Sequence, residues 1–191
     1  MLLSGYDRHT FDRGASRAKE ALWILIGVPL LGSWIPGSRW RVLLLWLFGA
    51  CIGAGAVIKP GVRVTFPWRL ELGDNVWIGE RVWIDNLDVV RIRSNSCVSQ
   101  GAYLCTGNHD WSVDSFDLRT APIKIEQGVW VCAFARIAPG TRIGERAIVG
   151  FGAVASGVLE PNTIYSGNPA KAIGPRDKRS WADEELRRQA S

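Results

Sequence analysis

The segment CTGNHDW, residues 105–111, carries one of only two histidines in 191 residues. The other, His9, lies in a polar stretch near the start. Imidazole titrates near neutrality, so one well-placed ring can accept a proton from one group and hand it to another. The other reactive side chains are Cys51, Cys97, Cys105 and Cys132. They form no C-x-x-C pair and no histidine is spaced to complete a zinc site, so we expect buried or semi-buried thiols in a reducing compartment and no metal. Cys105 stands four residues before His109, but no second histidine is available to activate it, which argues against a covalent cysteine route. Asp110 directly follows His109 and is a candidate for orienting the segment that bears it.

The elements that must hold these residues are legible as a period. From Ile52, an aliphatic residue recurs every six positions at Ile58, Val64 and Leu70, and after a slip of two at Leu72, Ile78, Ile84 and Val90. After a second slip come Ile92, Val98 and Leu104; beyond a gap the period resumes at Ile125, Val131, Ile137, Ile143 and Val149, with Ala155 last. Neither the helical period nor strand alternation fits this spacing. A triangular coil does: each six residues supply one short strand and one corner, the aliphatic side chain points inward, and many of the 21 glycines serve the corners. The expected fold is an all-β solenoid, a parallel β-helix over residues 51–176. The gap, residues 107–122, is then a loop extruded from a corner, where solenoids carry function. His109 sits where the coil ends and that loop begins. Asp85 and Asn86, in IDN (84–86), fall at a break one coil earlier and are candidates for binding an acceptor or orienting the histidine.

Two further segments flank the solenoid. Residues 1–50 begin polar and become the most apolar part of the chain, with ALWILIGVPLLGSWI (21–35), interrupted at Gly27-Val28-Pro29, and RWRVLLLWLFGA (39–50). A single bilayer crossing needs about 20 apolar residues, more than either offers. Pro36-Gly37 separates them and Ser38 is placed to cap the second, so we expect a helical hairpin. It packs on the solenoid or a partner subunit, or lies in a membrane interface with Trp and Arg at the boundary. No secretory pattern is visible, so the expected location is cytoplasmic, peripheral at the inner membrane face. At the other end, Ser180 with Asp183 starts a short polar helix over 180–190, within residues 177–191. The net charge of +5 suits an anionic partner. With no recognition helix or zinc finger, nucleic acid is set aside.

The ordered set LWLFGACIG, TFPWRLELGDNVWIG, CVSQGAYLCTGNHD, APIKIEQGVWV, IAPGTRIGERAIVGFGAVA and YSGNPAKAIGPR resembles the hexapeptide acyltransferases, and within them the sugar O-acetyltransferases of the colanic-acid-biosynthesis type. The likeness spans roughly residues 10 to 176. It implies a left-handed β-helix, a homotrimer, acetyl-CoA as co-substrate, and direct transfer to a sugar hydroxyl of an exopolysaccharide or other glycan with His109 as general base. Carried over by position, the donor groove takes Trp130 and Ala133 near the thioester, Gly150, Phe151 and Ser156 along the pantetheine arm, and Lys171 and Arg176 near the phosphates. Two departures stand out. Ser156-Gly157 replaces a Thr-Lys pair common in such enzymes, so either Arg136, Lys171 or Lys178 supplies the missing charge or donor affinity is modest. WVCAF (130–134) lacks the Gly-Ser type of pair that is usual there, so Ala133 offers only main chain. The alternatives are N-acetylation of an amino sugar or transfer to another small acceptor on the same fold, and a non-catalytic scaffold. A β-helix carbonic anhydrase would need several histidines around a metal, which this chain does not have.

Overall fold

The computed structural model describes residues 11–176. The predicted C-terminal helix, Lys178 and His9 lie outside the described residues. From Cys51 onward the chain winds as a three-sided, left-handed parallel β-helix of about six coils, built from short strands of two to five residues. The first face stacks six strands, beginning with Cys51–Ile52 and ending with Val158–Leu159. The second stacks Val57–Ile58 through Thr163–Ser166 and is closed by an antiparallel strand, Lys171–Pro175. The third runs Arg63–Val64, Trp83–Asp85, Tyr103–Cys105, Arg136–Ile137 and Val154–Ala155.

Register explains the period. On the first face Ile52, Leu72, Ile92, Ile125, Ile143 and Leu159 stand in one line. On the third, Val64, Ile84, Leu104, Ile137 and Ala155 do the same. Nearly all of these side chains are buried, and each buried aliphatic contributes about 1.5–3 kcal/mol relative to exposure. The two-residue slips have a simple cause. Strands Leu70–Leu72, Val90–Ile92 and Ile123–Ile125 are one pleat longer, so both their first and last residues point inward.

The apolar hairpin caps the first coil. Helix Arg17–Leu22 is capped by the Ser16 side chain on the Lys19 amide and continues through a π turn, Trp23–Gly27, into Val28–Gly32. The expected interruption at Gly27-Val28-Pro29 is therefore a change of helical pitch rather than a break, and the wide turn lies just ahead of the proline. Gly27 is required there: a Cβ would come within 1.9 Å of the Trp23 ring. Trp23, fully buried, packs against Phe48 and donates its indole N–H to the Val64 carbonyl at 3.1 Å, which fastens the hairpin to the prism. Arg41, in the second helix Arg39–Leu47, is buried and donates to the carbonyls of Ser33 and Ile35, holding the turn. Ser38 precedes this helix but does not cap it with its side chain. Its hydroxyl instead accepts the Ile58 amide of the prism at 2.7 Å. Among the described residues, no helix is long and apolar enough to cross a membrane.

Candidate active site

The loop expected at residues 107–122 leaves the corner between the third and first faces as an antiparallel β-ribbon. Gly107–His109 pairs with Leu118–Thr120, and His109 stands opposite Leu118. The base of the ribbon is tied to the corner by the Ala121 amide on the Thr106 carbonyl. His109 is half-buried at the ribbon's far end. Its ring lies flat on Phe116, with centroids 4.3 Å apart and planes within 2°. Its Nδ1 lies 2.8 Å from the Phe116 carbonyl oxygen. A carbonyl only accepts, so Nδ1 is the donor in this contact. Phe116 achieves this at φ +52°, a left-handed conformation that costs a bulky L-residue about 1–2 kcal/mol. The strain points the carbonyl at the imidazole.

Asp110 orders the same ribbon. It is only 8 % exposed, accepts the Ser112 amide at 3.0 Å and hydroxyl at 2.5 Å, and pairs with Arg119 on the returning strand. The Ser112 hydroxyl and amide, and more weakly the Arg119 charge, hold its carboxyl below the usual carboxylate range. Asp85, on the third face, accepts from Thr65 Oγ1 at 2.9 Å and from the Tyr103 hydroxyl at 3.0 Å. Burial first, then the neighbouring Cys105 and Asp85, push the Tyr103 phenol far up, which keeps it a donor. Asn86 requires a correction. It stands in the sequence as a candidate for binding an acceptor or orienting the histidine, but it is 0 % exposed, and its amide both accepts from the Phe66 N–H and donates to the Phe66 carbonyl. It clamps one coil to the next, and its full burial closes it off from an acceptor. Cys105 turns its S–H onto the Gly107 carbonyl, and burial raises the thiols of Cys97 and Cys132.

The residues carried over for a donor groove fall on different edges of the prism. Trp130, on the second face, donates its indole N–H to Ser99 Oγ at 2.9 Å and, with Trp77, walls a cavity of about 520 Å³ over Cys97. Ala133, Gly150 and Phe151 lie on the corner between the second and third faces, where Phe151 stands exposed and edge-on to Phe134. Ser156 shares the histidine's corner, two coils further along. Lys171 is exposed on the closing strand. Arg176 reaches the remaining corner, where one guanidinium nitrogen donates to the Gly128 and Arg146 carbonyls at 2.8 and 2.9 Å. That nitrogen is spent on turn carbonyls rather than turned to solvent, which departs from the expected phosphate contact. Within one chain, then, His109 stands with Asp110 and Phe116 on the ribbon, while Trp130, Ala133 and Phe151 belong to other edges.

Phe116, Tyr103 and Thr65 were not singled out from the sequence. One signal in it would have found the polar pairs: before the insertion each coil takes 20 residues. Thr65 and Asp85, Phe66 and Asn86, and Glu71 and Arg91 are all 20 apart and all bonded.

Comparison with known proteins adds the lineage. The chain is 38% identical over 176 residues to WcaF of Escherichia coli K12, named for acetyl transfer in colanic acid biosynthesis, covering 91% of this chain and 96% of that one. This chain belongs to the hexapeptide-repeat acetyltransferases. The family model for bacterial transferase hexapeptide (six repeats) matches residues 122–157 of this acetyltransferase. Galactoside O-acetyltransferase of Escherichia coli K12 is 24% identical over 135 residues, covering 68% of this chain and 66% of that protein. The fold is shared with the hexapeptide-repeat acetyltransferase VCA0836 of Vibrio cholerae O1 biovar eltor, solved with acetyl coenzyme A. That match has a TM-score of 0.77 at 20% identity, covering 93% of this chain and 97% of that one.

Proposed function

We propose that this acetyltransferase moves an acetyl group from acetyl-CoA to a sugar hydroxyl of an exopolysaccharide or other glycan, within a homotrimer. The observation that carries the reading is the imidazole held by the Phe116 carbonyl, because it fixes the tautomer a general base needs. As the sugar oxygen attacks the thioester carbonyl, Nε2 takes its proton. The tetrahedral oxyanion collapses, the C–S bond breaks, and the imidazolium returns the proton to the departing thiolate. Transfer is direct in a ternary complex, which the hydrogen-bonded Cys105 thiol favours over an acyl-enzyme. Asp110 sets the ribbon, and Asp85 with Tyr103 forms a polar wall on the third face.

The separation of the residues supports the homotrimer. A neighbouring prism packed edge to edge would set its Trp130, Ala133, Gly150 and Phe151 against the ribbon of the first, with the pantetheine arm between. Exposed Lys171 and Arg136 supply charge for the phosphates, with Ser156 lining the arm. The comparisons support the donor and acceptor class: relatives are named for polysaccharide and galactoside acetylation, and a neighbour binds acetyl coenzyme A. The outer side of the hairpin keeps Leu25, Trp34, Trp46 and Leu47 exposed, which supports peripheral contact with a membrane where a lipid-linked acceptor resides.

The test is a thiol-release assay with acetyl-CoA against neutral glycans, amino sugars and lipid-linked sugars, run beside His109→Ala. We expect release with hydroxyl acceptors and a loss of about 10²–10⁴-fold in the variant. Equal turnover in the variant would assign the proton transfer elsewhere, and activity confined to amino sugars would make the enzyme an N-acetyltransferase.

A further inference from the structure

Between the helical hairpin and the third face of the prism lies a cavity of about 690 Å³ that the transfer chemistry does not use. Its prism side offers Arg63, Arg81 and Trp83; its hairpin side offers Val28, Pro29 and Trp34. Among the described residues neither Arg63 nor Arg81 is ion-paired. Arg81 is placed with care. Its stem crosses Gly61, where a Cβ would meet Arg81 Cγ at 3.0 Å, and its guanidinium lies 5.3 Å from the centre of the Trp34 ring. Two cations are thus held beside two indoles at the border of an apolar helix whose Leu25 is 75 % exposed.

The cavity also has a direction. Arg63, Trp83 and Tyr103 are successive rungs of the third face, about 4.8 Å apart along the axis. The Trp83 and Tyr103 rings lie side by side at 4.7 Å. The strand Tyr103–Cys105 then runs directly into the ribbon that carries His109. An apolar surface, a pair of guanidiniums and an aromatic track therefore follow one another toward the proposed base. One chemical object has its parts in that order: a lipid, a phosphate and a saccharide.

We infer that this cavity holds the phosphate of a lipid-linked saccharide acceptor, with the lipid along the hairpin and the sugars along Trp83 and Tyr103. Guanidinium groups suit the phosphate oxygens, indole faces suit both the interface and the sugar ring, and the exposed leucines suit the acyl or prenyl chain. The inference rests on the acetyl-transfer reading for the direction of the saccharide, but its test does not use acetyl-CoA.

The full chain is floated with phosphatidylcholine vesicles, with the same vesicles carrying a polyprenyl phosphate, and with vesicles carrying phosphatidylglycerol at matched charge. Binding should be strongest to the polyprenyl phosphate vesicles. Arg63→Gln and Arg81→Gln should each weaken it roughly fivefold, while Arg142→Gln, on the first face, should not. Circular dichroism melts confirm that the variants fold, and Arg81→Lys, which keeps the charge, should retain part of the binding. Equal binding to both anionic vesicles would overturn the inference in favour of a general membrane contact. Insensitivity to both glutamine variants would overturn it as well. A failed thiol-release assay with vesicle binding intact would count against the catalytic reading alone.

Discussion

The prism and the ribbon that leaves it are built on opposite plans. In the inner coils of the prism each inward residue is supported by equivalents above and below: Leu104 stacks between Ile84 and Ile137, and each of those on the next rung. The ribbon of residues 107–120 has no such copies. Beyond its own two-strand pairing, it draws on one-off contacts such as Asp110 with Ser112 and Arg119, and the strained Phe116 beneath the histidine. Redundancy makes a stiff post, and the unique contacts aim one side chain from it.

The largest effect expected from this contrast lies in the post. Leu104→Ala should lower unfolding stability by about 2–5 kcal/mol in denaturant titration, because a rung locked between two others collapses poorly into the void. A small loss would mean that the coils slide to fill the space. In the ribbon the balance reverses. Asp110→Asn should leave the melt nearly unchanged yet reduce turnover roughly tenfold to a hundredfold, since it loosens the aim of His109 without touching the core. KM for acetyl-CoA should stay constant in that variant, and a matching rise in KM would make Asp110 a binding residue.

Acid sharpens the same comparison. Because the Asp110 carboxyl is held below its ordinary value, its contribution is full above the unfolded value of about 3.9 and is lost as pH falls through the lower folded value. Protection of the Ser112 amide from hydrogen exchange should therefore persist at about pH 4 and disappear only under stronger acid. Loss of protection already at pH values above 4 would show that the contacts to Ser112 and Arg119 do not form in solution. The smallest effect belongs to the hairpin seam: Ser38→Ala removes one bond to the Ile58 amide and should cost about 1 kcal/mol.

The sequence carried the post far better than the aim. Six-residue spacing is a one-dimensional signal, so the line from Ile52 to Ala155 is legible in the chain alone. Even its slips encode the longer strands such as Leu70–Leu72. Contacts between coils are a different matter. The amide of Asn86 looked like an acceptor-binding group because its partner, Phe66, is a whole coil away and offers only main chain. The same blindness hid Arg41, whose burial depends on a turn folding back over it. Phe116 was hidden for another reason. Its part is played by a carbonyl and a backbone angle, and neither is written in its side-chain type. His109 was legible because a rare residue at the edge of an interrupted repeat stands out by position and by chemistry together.

The proposed active site is shared by two prisms, with the histidine from one and the donor groove from the other. Mixing subunits tests this most directly. His109→Ala and Trp130→Asp chains are each purified as inactive assemblies, then unfolded and reassembled together. Random mixed trimers should recover thiol release at about a quarter of the wild-type sites, because only a Trp130→Asp chain beside a His109→Ala chain supplies an intact pair. Mixed trimers that form and show no recovery would place base and groove within one chain and contradict the account.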